Sequence, residues 1–97
     1  MFELFWTRQS EVDFNILKSS PALIKHYKAV KKTIALLAAN PRHPGLQTHE
    51  FTSLKGPSSE KVFEAYAEQN TPAAYRVFWY YGPDKSQITI LAITKHT

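Results

Sequence analysis

The chain has 97 residues, a formal net charge of +4, no cysteine, and two Trp, five Tyr and six Phe. That length supports a single domain, 1–97, with a core about two layers deep, and the aromatic content argues against a disordered segment. The absence of cysteine excludes disulfides and thiolate zinc sites.

No apolar run approaches about 18 residues, so no membrane partner is expected. The opening MFELFWTRQSE lacks the basic-then-apolar layout of a secretory signal, and a cytoplasmic location is the expectation. Charge is uneven along the chain. Residues 21–56 carry Lys25, Lys28, Lys31, Lys32, Arg42 and Lys55 against Glu50 alone, while residues 57–97 balance to zero. A basic segment of this kind suits an anionic partner such as RNA or an acidic protein, or it is a solvated helix face.

In chain order, FELFW (2–6) predicts a short strand. Thr7 is placed to cap a helix over 8–18, with Val12, Ile16 and Leu17 inward. Ser20 and Pro21 start a second helix that runs to Ala39. Its Leu23, Tyr27, Val30, Ile34 and Leu37 form one apolar stripe, with Lys25, Lys28 and Lys32 on another face. NPRHPG (40–45) ends it. Strands are predicted over 46–54, 62–69, 74–81 and 88–94, separated by KGPSSE, NTP and YGPDKSQ. The fold class is α+β: two N-terminal helices on one face of a twisted, mainly antiparallel sheet of four to five strands. The other face is open or covered by a partner.

The strand AAYRVFWYY (73–81) holds one charge, Arg76. Alternation puts Arg76 with Phe78 and Tyr80, and puts the bulkier Tyr75, Val77, Trp79 and Tyr81 on the opposite, helix-covered face. If Tyr81 pairs with Gln87, Arg76 lies opposite Ala92, and Ile88, Ile90, Ala92, Thr94 and His96 share its face. His96 is then roughly 13 Å from Arg76. Arg76 is either an ion-pair partner of Glu64 or Glu68, or a bidentate phosphate contact. Cleavage of RNA by its own 2′-hydroxyl needs a base, a cation for the phosphorane-like charge and an acid for the 5′-oxygen. Arg76, His96, Glu64 and Tyr66 are the candidates, with Lys55, Lys61, Lys95, His49 and Arg42 as RNA contacts. His26 is read as a solvated helix residue. No P-loop, metal motif or nucleophile elbow is present, so no metal or cofactor is expected.

The element order, with LAANPRHPGLQTHEFTSLKG, AAYRVFWYY and ITILAITKH, resembles the RelE/ParE superfamily of toxins from bacterial toxin–antitoxin systems. The matching elements are Asn40-Pro41, Leu54-Lys55-Gly56, Tyr75-Arg76 and Lys95-His96. The resemblance implies a cognate antitoxin that wraps the toxin. It implies, for the RelE-like branch, cleavage of mRNA in the ribosomal A site without a metal, with Arg76 at the scissile phosphate and His96 or Lys95 at the leaving group. RelE's two lysines in the strand before the Tyr-Arg pair are replaced here by Glu64, Tyr66 and Glu68. The alternatives implied are a ParE-like toxin that inhibits DNA gyrase by binding, and a degenerate member without toxicity.

Overall fold

The computed structural model describes residues 1–69, 71 and 73–95. Strand β1 (Glu3–Trp6) leads into helix α1 (Arg8–Ser19), and a 3-10 turn (Pro21–Leu23) leads into helix α2 (Ile24–Ala39). Strands β2 (His49–Lys55), β3 (Lys61–Tyr66), β4 (Tyr75–Tyr81) and β5 (Gln87–Lys95) follow. The five strands form one sheet in the order β1-β5-β4-β3-β2. β1 runs parallel to β5, and the other pairs are antiparallel.

The two helices cover one face, as the sequence implies. Leu17, Val30, Ile34 and Leu37 pack on Val77, Trp79, Ile88, Ile90 and Ile93. Thr7 is the N-cap of α1: its hydroxyl accepts from Ser10 N–H at 3.1 Å. Asn40 ends α2 by an Asx turn, its side-chain oxygen accepting from Arg42 N–H at 3.0 Å. Gly56 is buried in the β2–β3 turn, where a Cβ would overlap the Glu60 carboxylate, so the Leu-Lys-Gly element ends on a residue with no side chain.

Three expectations are corrected. In α1, Val12 and Ile16 are exposed, and Ser10 and Leu17 are the buried positions. The helix turns its Asp13 side to the sheet because Asp13 Oδ2 accepts from Ile93 N–H at 2.9 Å, beyond the end of β1 where β5 lacks a neighbouring strand. On β4, Tyr81 is 41 % exposed, while Val77 and Trp79 are fully buried.

The third correction is the register of the last hairpin. Tyr81 pairs with Ile88, and Arg76 pairs with Thr94. Pairing slips between Phe78 and Trp79, so that Ala92 and Ile90 are consecutive partners and Leu91 is extra. An extra residue inverts alternation beyond it. Ile88 and Ile90 therefore join the helix-side core, and Thr89, Ala92 and Thr94 share the face of Arg76. The bulge is anchored by Thr7, whose hydroxyl donates to the Leu91 carbonyl at 2.7 Å.

Candidate active site on the helix-free face

The face opposite the helices carries Glu64 and Tyr66 from β3 and Arg76, Phe78 and Tyr80 from β4, with His49 paired to Glu64 from β2. It is not an open plane. Arg76, Phe78 and Tyr80 are 7–8 % exposed. Phe51 of β2 approaches Phe78, two strands away, to 4.9 Å between ring centroids. In a flat sheet those backbones stand about 10 Å apart, so the two side chains lean toward each other over β3 and cover part of the face.

Arg76 is buried on this face. Cross-strand pairing puts it beside Tyr66, whose ring lies 3.8 Å from the guanidinium carbon, a cation–π contact. Nη1 donates to the carbonyl oxygen of Glu68 at 2.9 Å. Nε stands 3.7 Å from Glu64 Oε2, close enough for charge attraction and too far for a hydrogen bond, and it is buried without an acceptor. Glu64 is flanked on its other side: its Oε1 lies 2.8 Å from His49 Nε2, an ion pair when the imidazole is protonated. His49 is half exposed, its ring is edge-on to Tyr66 at 5.5 Å, and its Nδ1 lies 3.3 Å from the Gln47 carbonyl. His49, Glu64, Tyr66 and Arg76 thus form one contiguous group.

Glu68 is the second acid near Arg76. Its carboxylate bonds elsewhere: Oε1 accepts from the Tyr75 N–H at 3.1 Å and from His26 Nδ1 of α2 at 2.7 Å. His26 is therefore not a merely solvated helix residue. It is half buried, and its ring lies 4.9 Å from that of Tyr75. Burial raises the Tyr75 phenol above its ordinary value of 10.0, and the negative charges of Glu68 and then Asp13 add to the shift.

The remaining candidates lie away from this group. Lys55 and Lys61 face each other at the β2–β3 turn, five residues along β3 from Tyr66, or roughly 16 Å. Lys55 also lies 3.8 Å from Glu50. Lys95 pairs with Tyr75, which puts it on the helix-side face. Arg42 lines a cavity of about 420 Å³ with Phe63, Trp79 and Tyr81, also on that side. His96 lies outside the described residues. Sequence reasoning places His49 as an RNA contact and misses its bond to Glu64, and it misses His26. Neither pairing has a local signal, since each joins residues far apart in the chain.

No family model matches the sequence, and no curated protein matches it significantly. Solved structures do resemble it in shape. A YoeB/ParE toxin from Agrobacterium tumefaciens superposes with a TM-score of 0.70 at 14% identity, over 99% of this chain and 100% of that one. The RelE of an archaeal RelE-RelB complex from Pyrococcus horikoshii OT3 gives 0.63 at 18% identity, over 97% and 93% of the two chains. The intact E. coli RelBE toxin-antitoxin complex gives 0.62 at 11% identity, over 100% and 99%. The chain has the RelE/ParE fold. In terms of that fold, the Arg76 group occupies the sheet face that the helices leave uncovered.

Proposed function

We propose that this protein is the toxin of a toxin–antitoxin pair, and that it acts as a ribosome-dependent mRNA endonuclease. The observation that carries the reading is the state of Arg76. A purely structural buried arginine is expected to have its donors satisfied. Arg76 is instead fixed by stacking on Tyr66 and by the Glu68 and Tyr75 carbonyls, with a buried Nε that faces Glu64 at 3.7 Å and forms no hydrogen bond. A phosphate oxygen is the acceptor such a donor lacks.

The chemistry is that of the RNA's own 2′-hydroxyl. The O2′–P bond forms and the P–O5′ bond breaks, giving a 2′,3′-cyclic phosphate and a free 5′-hydroxyl. His49, backed by Glu64, takes the 2′ proton through Nδ1, giving up its long contact with Gln47. Arg76 stabilises the charge on the phosphorane oxygens. Tyr66 holds the guanidinium flat and offers its ring to a base. The proton for the 5′-oxygen is assigned to His96, on the resemblance of the Lys95-His96 ending alone. The proposed partners are a cognate antitoxin, the ribosome and mRNA. The similar structures include RelE-RelB and RelBE complexes, which supports the antitoxin.

Expression in a translating extract followed by primer extension tests the reading. New mRNA ends with wild-type protein, lost with Arg76→Ala, are expected; intact transcripts with wild-type protein would refute it. A second reading, inhibition of DNA gyrase by binding alone, is favoured by the near-complete burial of Arg76. Loss of supercoiling activity in purified gyrase, with mRNA left intact, is the outcome that selects it.

A further inference from the structure

Past the end of β3 the chain leaves the sheet ladder at Ala67 and Glu68, yet Glu68 supplies the carbonyl that holds Arg76. Residue 68 is where it is fixed. The Glu68 and Ala67 N–H groups both donate to the Tyr75 carbonyl, at 3.3 and 3.2 Å. The Glu68 side chain folds back to accept from the Tyr75 N–H. These bonds tie residues 67 and 68 to the first residue of β4. Glu68 is tied to the helical layer, among the described residues, by His26, 42 residues earlier in the chain, at 2.7 Å.

We propose that His26 is a positioning residue for Arg76, acting through Glu68. The carboxylate and the carbonyl of Glu68 belong to one residue. His26 grips the first, and Arg76 Nη1 is held by the second at 2.9 Å. Fixing the side chain against α2 fixes the orientation of the peptide group. That places the guanidinium flat on Tyr66, with Nε turned to the Glu64 side. Without the tie, Glu68 is held through its bonds to Tyr75 alone, and its carbonyl is expected to shift relative to Nη1. The helix layer thereby sets the geometry of a site on the far side of the sheet. The tie itself is a property of the fold; its effect on cleavage rests on the ribonuclease reading above.

The decisive variant is His26→Phe, which keeps an aromatic ring against Tyr75 and removes the donor. The readout is the NMR signal of the Arg76 Nε–Hε group, which the Tyr66 ring displaces from the position of a free arginine. In His26→Phe that signal is expected to move toward the free position, and in His26→Asn, which restores a donor near the Nδ1 position, it is expected to return. In the extract, cleavage should fall about 10- to 100-fold in His26→Phe, as a misplacement near 1 Å does, and recover in His26→Asn. A melting curve identifies a variant that fails to fold, and then the comparison of His26→Asn with wild type carries the test: an Arg76 signal at the free position in folded His26→Asn would overturn the proposal. An Arg76 signal unmoved in folded His26→Phe overturns it, whatever cleavage does. If the signal moves but the wild-type protein cuts no mRNA, the positioning stands and the ribonuclease reading falls.

Discussion

Arg76 and His49 share a single buried carboxylate, and removing both should cost more than the sum of removing each. Arg76→Ala deletes a charged bond to the Glu68 carbonyl and a cation–π contact on Tyr66. A bond of that type contributes about 1.5–3 kcal/mol, and a desolvated cation–π contact up to about 2. Because the two share one side chain, about 2–3 kcal/mol is the expected loss, or roughly 10–20 °C in Tm for a domain this size. That leaves a typical domain folded at room temperature. Glu64 is not stranded by this change, since His49 Nε2 still lies 2.8 Å from it. His49→Ala, at a half-exposed position, should cost about 0.5 kcal/mol. The double variant leaves Glu64, 9 % exposed at its side chain, with neither cation. That adds about 1–3 kcal/mol beyond the sum, the cost of an uncompensated buried acid. Urea unfolding of the four proteins measures it. Additivity within about 0.5 kcal/mol would refute the shared-carboxylate account.

Two further outcomes follow from the same geometry. Thr7→Ala removes both the cap on α1 and the tie to the Leu91 bulge, and should lower stability by about 1–2 kcal/mol in urea unfolding, while Thr7→Ser should keep most of it. The raised Tyr75 pKa means that the unfolded chain releases this proton before the folded one, so unfolding releases a proton once pH passes about 10. Stability is therefore whole below about pH 10 and declines as pH climbs past it. Melting curves should show that slope, and it should lessen in Tyr75→Phe.

The parts of the fold set by local patterning were legible in the sequence. The α2 stripe, the Thr7 cap and the alternation on β4 all depend on residues within a turn or a strand of one another, and Arg76 does lie on the face opposite the helices. What failed were features set by distant partners. α1 has two apolar spacings, Val12 with Ile16 and Phe14 with Leu17. The choice between them comes from Asp13 meeting Ile93, 80 residues away. The Leu91 bulge inverts the face of Ile88 and Ile90, and no residue in ITILAIT marks it, since its anchor is Thr7 at the other end of the chain. The site shows the same divide. Glu64 and Tyr66 were identifiable from β3 alternation, whereas the bond from His49 to Glu64 depends on the β2–β3 register, and that from His26 to Glu68 on how α2 lies over the sheet.

The central claim is that Arg76 is a phosphate contact in a cutting site. Mapping mRNA ends in a translating extract tests it most directly, with wild-type protein beside Arg76→Ala and with the folded state of each confirmed by its melting curve. The account predicts new ends within translated codons for the wild type and none for folded Arg76→Ala. Cleavage undiminished in the folded variant would contradict it.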